Sequence, residues 1–131
     1  MSKILVVDDD PVSRKIIVNI LAKNGIRTIE AADGDEALSM IQHDPTIVLV
    51  ITDVKMPKLD GRDLALAIRA LPGHQHLPIL IMSGAVGPKF INNLLADGIT
   101  AFMPKPVDPE IVIEYVERYL KKSHKSKERK L

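Results

Sequence analysis

Acidic side chains occur in this sequence at the points where apolar runs end. Asp8, Asp9 and Asp10 follow a short apolar run, and Asp53 comes after a longer run and one threonine. Any one of these aspartates could simply cap a helix or belong to a turn. If they converge, their carboxylates repel one another and stay charged only beside a counterion. Oxygen ligands of this type suit Mg²⁺, so the pattern predicts a magnesium site.

A hydroxyl group and an ammonium group end two further apolar runs, at Ser83 and Lys105. Alone, each is as readily a capping residue as a chemical group. Opposite a metal-bound carboxylate they would form a phosphoryl site. Lys105 would neutralise charge on the equatorial oxygens, and Ser83 would hydrogen-bond one of them. Asp53 would then be the nucleophile and would form an acyl phosphate.

The elements that must position these groups are strands followed by helices. Apolar runs rich in β-branched residues predict buried strands at residues 3–8, 27–31, 47–51, 78–83 and 99–103. Helical spacing follows each of them. The first helix has its N-cap at Asp10 and an apolar repeat of Val12, Ile16, Ile17, Ile20 and Leu21. The last helix is expected to run from about Pro109 to Leu120.

This alternation predicts an α/β fold, a doubly wound five-stranded parallel sheet with five helices on its two faces. Right-handed crossovers leave few arrangements, and the flavodoxin-like strand order 2-1-3-4-5 is the leading one. In that order the first and third strands are neighbours. Asp8, Asp9 and Asp53 would then meet in one crevice at the carboxyl edge of the sheet.

Size and composition fit one globular domain of 131 residues with 46% hydrophobic and 27% charged residues. There is no cysteine, and none of the four histidines lies near the predicted strand ends, so zinc is not expected. The start of the chain leads directly into a strand, and no apolar run approaches the roughly 20 residues of a membrane helix. We therefore expect a cytoplasmic protein without a membrane partner.

Charge is unevenly distributed along the chain. Residues 121–131 contain six Lys or Arg and one Glu, a local charge of +5, whereas residues 1–120 carry −4. A basic tail can bind nucleic acid or a membrane surface. The body, however, has no basic patch, and its four aromatic residues are too few for a base-stacking platform. We predict a solvated helix end or linker stub at residues 123–131 and do not expect direct nucleic-acid binding.

In order and spacing these motifs resemble a response-regulator receiver domain of two-component signal transduction, similar to the chemotaxis regulators. The resemblance covers residues 3–120. It rests on Ile4-Leu-Val-Val-Asp8-Asp9, Thr52-Asp53-Val-Lys-Met56-Pro57-Lys-Leu-Asp60-Gly61, Met82-Ser83-Gly84 and Lys105-Pro106. Each piece is a weak signal by itself, and the ordered set is highly specific.

The resemblance implies that Asp53 accepts a phosphoryl group from a phosphohistidine of a sensor histidine kinase or phosphotransfer protein, or from a small phosphodonor. It implies a Mg²⁺ site formed by Asp8, Asp9, Asp53 and the backbone carbonyl of Lys55, with Asp8 acting largely through water. Ser83 and Lys105 would hold the phosphoryl oxygens. The family also implies a cis peptide bond between Lys105 and Pro106, which proline makes accessible.

A switch is implied by the same resemblance. When Ser83 moves toward a phosphoryl oxygen, it would vacate space that the ring of Phe102 can enter. The responding face would comprise helix 4, strand 5 and helix 5, including Ile91, Phe102 and Tyr115, and a downstream protein or fused output domain would read it. The small residues Gly84, Ala85 and Gly87 would let the adjoining loop reposition.

Two residues depart from the family pattern. Pro104 replaces an apolar non-proline residue and lacks an amide donor, which puts the aim of Lys105 and the order of strand 5 in question. Lys55 places a long cation beside Asp53, and our hypothesis is that it obstructs the hydrolytic water and prolongs the phosphorylated state. The receiver itself is assigned to residues 1–122. Whether the chain is a complete single-domain regulator or part of a longer protein stays open, as does homodimer formation.

Two other functions are compatible with the fold. A phosphatase or phosphotransferase acting through an aspartyl-phosphate would need a second acid two residues after Asp53, where Lys55 stands, and a cap segment over the substrate. A flavodoxin-like cofactor carrier would need a phosphate-cradling first loop, and here that loop is acidic. We therefore expect a signalling module that catalyses only its own phosphorylation and dephosphorylation, not an enzyme with a separate substrate.

Overall fold

A five-stranded parallel sheet forms the centre of the computed structural model, which describes residues 2–84 and 87–129, with side chains as far as residue 120. Its strands are β1 (Lys3–Val7), β2 (Thr28–Ala31), β3 (Ile47–Asp53), β4 (Ile79–Ser83) and β5 (Ala101–Pro104). They are arranged in the order β2-β1-β3-β4-β5. The predicted fold class and strand order are confirmed. β3 is the central strand and pairs with the apolar strands β1 and β4. Most of its side chains are buried.

Helices follow every strand: α1 (Pro11–Lys23), α2 (Gly34–His43), α3 (Gly61–Ala70), α4 (Pro88–Ala96) and α5 (Pro109–Arg129). Asp10 is the N-cap of α1, as predicted, and its side chain accepts from the Val12 N–H. The last helix continues beyond Leu120, where we expected it to end. The sequence after Pro109 contains neither proline nor glycine and is rich in Lys, Arg and Glu, so nothing in it stops a helix.

Side chains that alternate along the strands build one core on each face of the sheet. Leu5, Val50 and Ile81 face α2, α3 and α4. The intervening residues, such as Ile51 and Met82, face α1 and α5. The helices on both faces therefore hold the carboxyl ends of all strands at one edge, where ligand sites of such sheets lie.

The apolar repeat of α1 is only partly buried. Ile17 and Leu21 are buried against the sheet, whereas Val12 is 69% exposed and Ile16 is 50% exposed. The helix predicted from this repeat is present, but in its first turns the repeat does not face the sheet. Val12 and Ile16 lie one helical turn apart, so they form a small exposed apolar surface just after the acidic loop. No helix in the described part of the chain is long and apolar enough to span a bilayer.

Candidate functional site

Three carboxylates meet at the carboxyl edge of the sheet. The ladder between β1 and β3 pairs Val7 with Thr52, which places the residues that follow them side by side. Asp8, Asp9 and Asp53 each offer a carboxylate oxygen within 4.8 Å of those of the other two. The convergence predicted from the strand order is confirmed. Asp8 is fully buried, Asp53 is half-buried and Asp9 is exposed, so the cluster opens to solvent on one side.

The Asp8 carboxylate has one satisfied and one unsatisfied oxygen. Its Oδ1 accepts from the Asp10 N–H at 3.0 Å, but its buried Oδ2 has no hydrogen-bond partner among the residues that the structure describes. The nearest cation to that oxygen is the Lys105 Nζ, 3.9 Å away. Leaving a buried charged oxygen unpaired is costly, so this site would be stabilised by a cation. Three oxygen ligands and an orphaned buried oxygen fit Mg²⁺.

Lys105 reaches the acid cluster from β5. Its Nζ donates to Asp53 Oδ2 at 2.7 Å, and the Lys105–Pro106 peptide bond is cis, as predicted. The doubt that Pro104 raised is removed by the register of the edge strand. The Lys105 N–H donates to the Ser83 carbonyl at 2.7 Å, and N–H groups alternate in direction along a strand. The nitrogen of Pro104 therefore faces the open edge of the sheet, where no donor is needed.

Ser83 lies at the end of β4, beside this cluster. Asp53 pairs with Met82, the residue before Ser83, and the side chain of Ser83 is buried. Phe102 pairs with Ile81 and is half-buried against the core on the α4 side. Because residues two apart on a strand share a face, Ser83 and Phe102 lie on the same side of the sheet in adjacent rows. Ala85, predicted to loosen the next loop, lies outside the described residues.

Phe102 is one part of the face predicted to respond. Ile91 and Tyr115 are also half-buried, and Leu95 and Ile111 are exposed at 44% and 37%. The ring of Tyr115 meets that of Tyr119 edge to face, and the Arg118 guanidinium lies over it at 5.3 Å. The residues named for this face are therefore accessible in part and apolar in part, which is compatible with a protein partner.

The loop after β3 forms the open side of the site. An open pocket of about 420 Å³ is lined by Asp9, Val54, Lys55, Met56, Pro57 and Asp60. Lys55 is exposed within it, in agreement with a long cation beside Asp53.

Lys58 lies at the turn of this loop and has a left-handed backbone φ of 67°. Its Nζ lies 3.6 Å from Asp33 Oδ2. The Glu36 N–H donates a hydrogen bond to Asp33 Oδ1. This bond and, to a smaller extent, the Lys58 ammonium hold the pKa of Asp33 below its usual value.

Two glycines allow the backbone around this loop to pack at close range, a role that the sequence alone did not predict. A Cβ on Gly61 would lie 2.3 Å from the Asp53 carbonyl oxygen, and one on Gly34 would lie 2.3 Å from that of Leu59. The Gly61 N–H also donates to the Val54 carbonyl at 2.8 Å. The missing side chain at residue 61 lets α3 start directly against Asp53.

Comparison with known proteins identifies the family. The sequence matches the response regulator receiver domain over residues 4–117. It is 32% identical over 117 residues to the two-component response regulator ORR11 of Oryza sativa subsp. indica, a match covering 89% of this chain and 80% of that protein. The match to the 3',5'-cyclic-nucleotide phosphodiesterase regA of Dictyostelium discoideum is 37% identical over 120 residues, covering 90% of this chain and 15% of that protein.

A solved structure gives the same result. The Vibrio cholerae chemotaxis protein CheY4 is similar to this chain with a TM-score of 0.84 and 31% identity, covering 91% of this chain and 98% of that one. Sequence match, strand order and the converging acids agree with one another. The chain belongs to the response-regulator receiver domains of two-component signalling.

Proposed function

We propose that Asp53 is the phosphoryl acceptor of this receiver, with a phosphohistidine of a sensor histidine kinase or phosphotransfer protein as the donor. The observation that carries this proposal is the setting of Asp53. Its carboxylate ends the central strand, accepts from the Lys105 ammonium at 2.7 Å and lies within 4.8 Å of two further carboxylates. A carboxylate held in this way is oriented and exposed on one side, as a nucleophile must be.

The step is an in-line displacement at phosphorus. An oxygen of the Asp53 carboxylate forms the new P–O bond as the P–N bond to the donor histidine breaks. The histidine keeps the electron pair of that bond. Lys105 neutralises charge on the phosphoryl oxygens, and the Ser83 hydroxyl donates to one of them. Hydrolysis of the acyl phosphate later returns Asp53 to a carboxylate, so the chain acts only on its own modification.

Asp8, Asp9, Asp53 and the Lys55 carbonyl would hold the Mg²⁺ ion, with Asp8 acting largely through water. When bound, Mg²⁺ neutralises the charge that develops on the transferring group. Among the described residues Asp8 Oδ2 has no hydrogen-bond partner, so it would be available to the ion at this edge of the sheet. The mutual repulsion of the carboxylates is offset by the same ion, so site and ligand stabilise each other.

The output is a change of surface. Ser83 would move toward the phosphoryl group, and the half-buried ring of Phe102, in the adjacent row of the same sheet face, would turn inward into the space it leaves. The face of α4, β5 and α5 would then differ between the two states. A downstream protein or a fused output domain would read it, acting in the cytoplasm. Fusion has a precedent in the phosphodiesterase regA, of which this chain matches 15%.

Acetyl phosphate tests this proposal without a kinase. We expect the intact mass of the protein to rise by one phosphoryl group when acetyl phosphate and Mg²⁺ are both present, and to stay unchanged when EDTA removes the metal. The reason is that three clustered carboxylates repel an anionic donor unless their charge is neutralised. No mass increase with Mg²⁺, or an equal increase in EDTA, would contradict the proposal.

Lys55 is expected to prolong the phosphorylated state. Its exposed side chain lines the open side of the pocket, from which a hydrolytic water must reach the phosphoryl group. Lys55→Asn shortens the side chain, clears the path of the hydrolytic water and should therefore speed loss of the phosphoryl group. The decay is followed by intact mass after the phosphodonor is removed. Lys89→Asn on α4 is the control, and an unchanged decay in Lys55→Asn would refute the idea.

A further inference from the structure

Arg14 connects three elements around the acid cluster. It lies in α1, and its Nη1 donates to the Asp8 carbonyl at 2.7 Å while its Nε donates to Glu30 Oε1, on β2, at 2.9 Å. The side chain is 19% exposed, so the guanidinium is largely enclosed by these contacts. A planar guanidinium that donates to two acceptors has little rotational freedom. It therefore fixes the orientation of the groups that accept from it.

The carbonyl that Arg14 holds belongs to the peptide bond between Asp8 and Asp9. A peptide unit is planar, so fixing the direction of its carbonyl fixes its N–H and the direction in which the chain continues. The Asp8 N–H is tied to the Ala31 carbonyl at 3.2 Å, and Asp8 Oδ1 is tied to the Asp10 N–H. With Arg14, three polar groups of Asp8 are held by hydrogen bonds, namely its N–H, its carbonyl and its Oδ1.

Charge gives a second reason for a cation at this place. Three converging carboxylates push the β1–α1 loop away from β3. Lys105 opposes this repulsion from the Asp53 side, and the Arg14 guanidinium holds the loop through the Asp8 carbonyl. Glu30 in turn holds the Arg14 fork in place, since its carboxylate accepts from Nε.

We propose that Arg14 is a positioning residue of the Mg²⁺ site: through the Asp8 carbonyl it sets the peptide plane that joins Asp8 to Asp9, and Glu30 on β2 holds it in that orientation. This inference rests on the magnesium site of the proposed function. It assigns to Arg14 an effect on metal affinity beyond a contribution to folding. Its contacts to Asp8 and Glu30 span 6 and 16 residues of sequence.

A magnesium titration of the folded protein, followed by the backbone amide NMR signals of residues 8–12, tests this inference. Arg14→Met should weaken Mg²⁺ binding by about 10-fold or more, the usual effect of losing a group that orients a metal ligand. Arg14→Lys keeps one charge but cannot hold both partners, so its affinity should fall between those of the native protein and Arg14→Met. Glu30→Gln, which still offers an acceptor oxygen to Nε, should have the smallest effect.

Arg118→Met provides the matched control, since Arg118 pairs with Glu114 on the exposed side of α5. Its Mg²⁺ affinity should equal that of the native protein. Thermal unfolding of each variant shows that the titration temperature lies below its transition, so a loss of stability alone cannot move the affinity. Native affinity in both Arg14 variants would overturn the inference, and native protein that does not bind Mg²⁺ at these residues would instead overturn the proposed function. If Arg14→Met does not fold, the Arg14→Lys titration decides: weaker Mg²⁺ binding supports the inference, and native affinity overturns it.

Discussion

Asp53→Asn should take up no phosphoryl group from acetyl phosphate, under conditions that modify the native protein fully. Asparagine has nearly the shape of aspartate, but its amide is a poor nucleophile and cannot form the acyl phosphate. It also removes one of the carboxylates that lie within 4.8 Å of one another. The expected result is complete loss of the mass increase, measured on the intact protein.

Asp63→Asn is the matched control for that experiment. Asp63 is an exposed acid in the first turn of α3, outside the carboxylate cluster, so its loss changes net charge by the same amount without touching the site. It should be modified like the native protein. A mass increase in Asp53→Asn equal to that in Asp63→Asn would show that another residue is the acceptor.

Lys105→Met should slow phosphorylation by about 100-fold, since removing one donor that stabilises charge in a transition state costs roughly this factor. The ammonium group lies 2.7 Å from Asp53 Oδ2 and 3.9 Å from Asp8 Oδ2, so it is the cation positioned to meet the incoming phosphoryl oxygens. Methionine keeps the length and apolar stem of the side chain and removes only the charge. The rate is measured from intact mass over time at fixed acetyl phosphate and Mg²⁺.

A second readout separates this effect from misfolding. Removing a positive charge from the acid cluster removes its repulsion of Mg²⁺, so the metal affinity of Lys105→Met should be equal to or higher than native. Lys58→Met is the charge-matched control, because the Lys58 ammonium pairs with Asp33 on the far side of the loop. Slow phosphorylation together with lost Mg²⁺ binding would indicate a disrupted site and would contradict the assigned role.

Much of the fold could be predicted from local patterns. The β-branched runs of β1, β3 and β4 are nearly continuous because both faces of a parallel strand are buried. Proline and glycine mark most helix boundaries, and crossover handedness then restricts the strand order. Asp8 and Asp9 follow β1, and Asp53 ends β3. Because the predicted strand order makes these two strands neighbours, it also predicts that the three carboxylates converge. Lys105 belonged to the same edge for the same reason.

The remainder depends on contacts between residues distant in sequence. Nothing near Gly61 in the sequence shows that a side chain there would meet the Asp53 carbonyl. Arg14 looks like an ordinary helix cation until the fold brings Glu30 and the Asp8 carbonyl to it. Val12 and Ile16 share the apolar character of Ile17, yet they are exposed in the folded protein while Ile17 is buried. Helical periodicity does not determine which stripe meets the sheet.

The site of covalent modification tests the central claim most directly. Acyl phosphates are cleaved reductively by borohydride, which converts a phosphorylated aspartate into homoserine and leaves the others unchanged. Peptide mapping of protein treated with acetyl phosphate, Mg²⁺ and then borohydride should find homoserine at residue 53 alone. Homoserine at Asp8, Asp9 or Asp60 instead, or none in protein that had gained a phosphoryl group, would contradict the assignment of Asp53 as the acceptor.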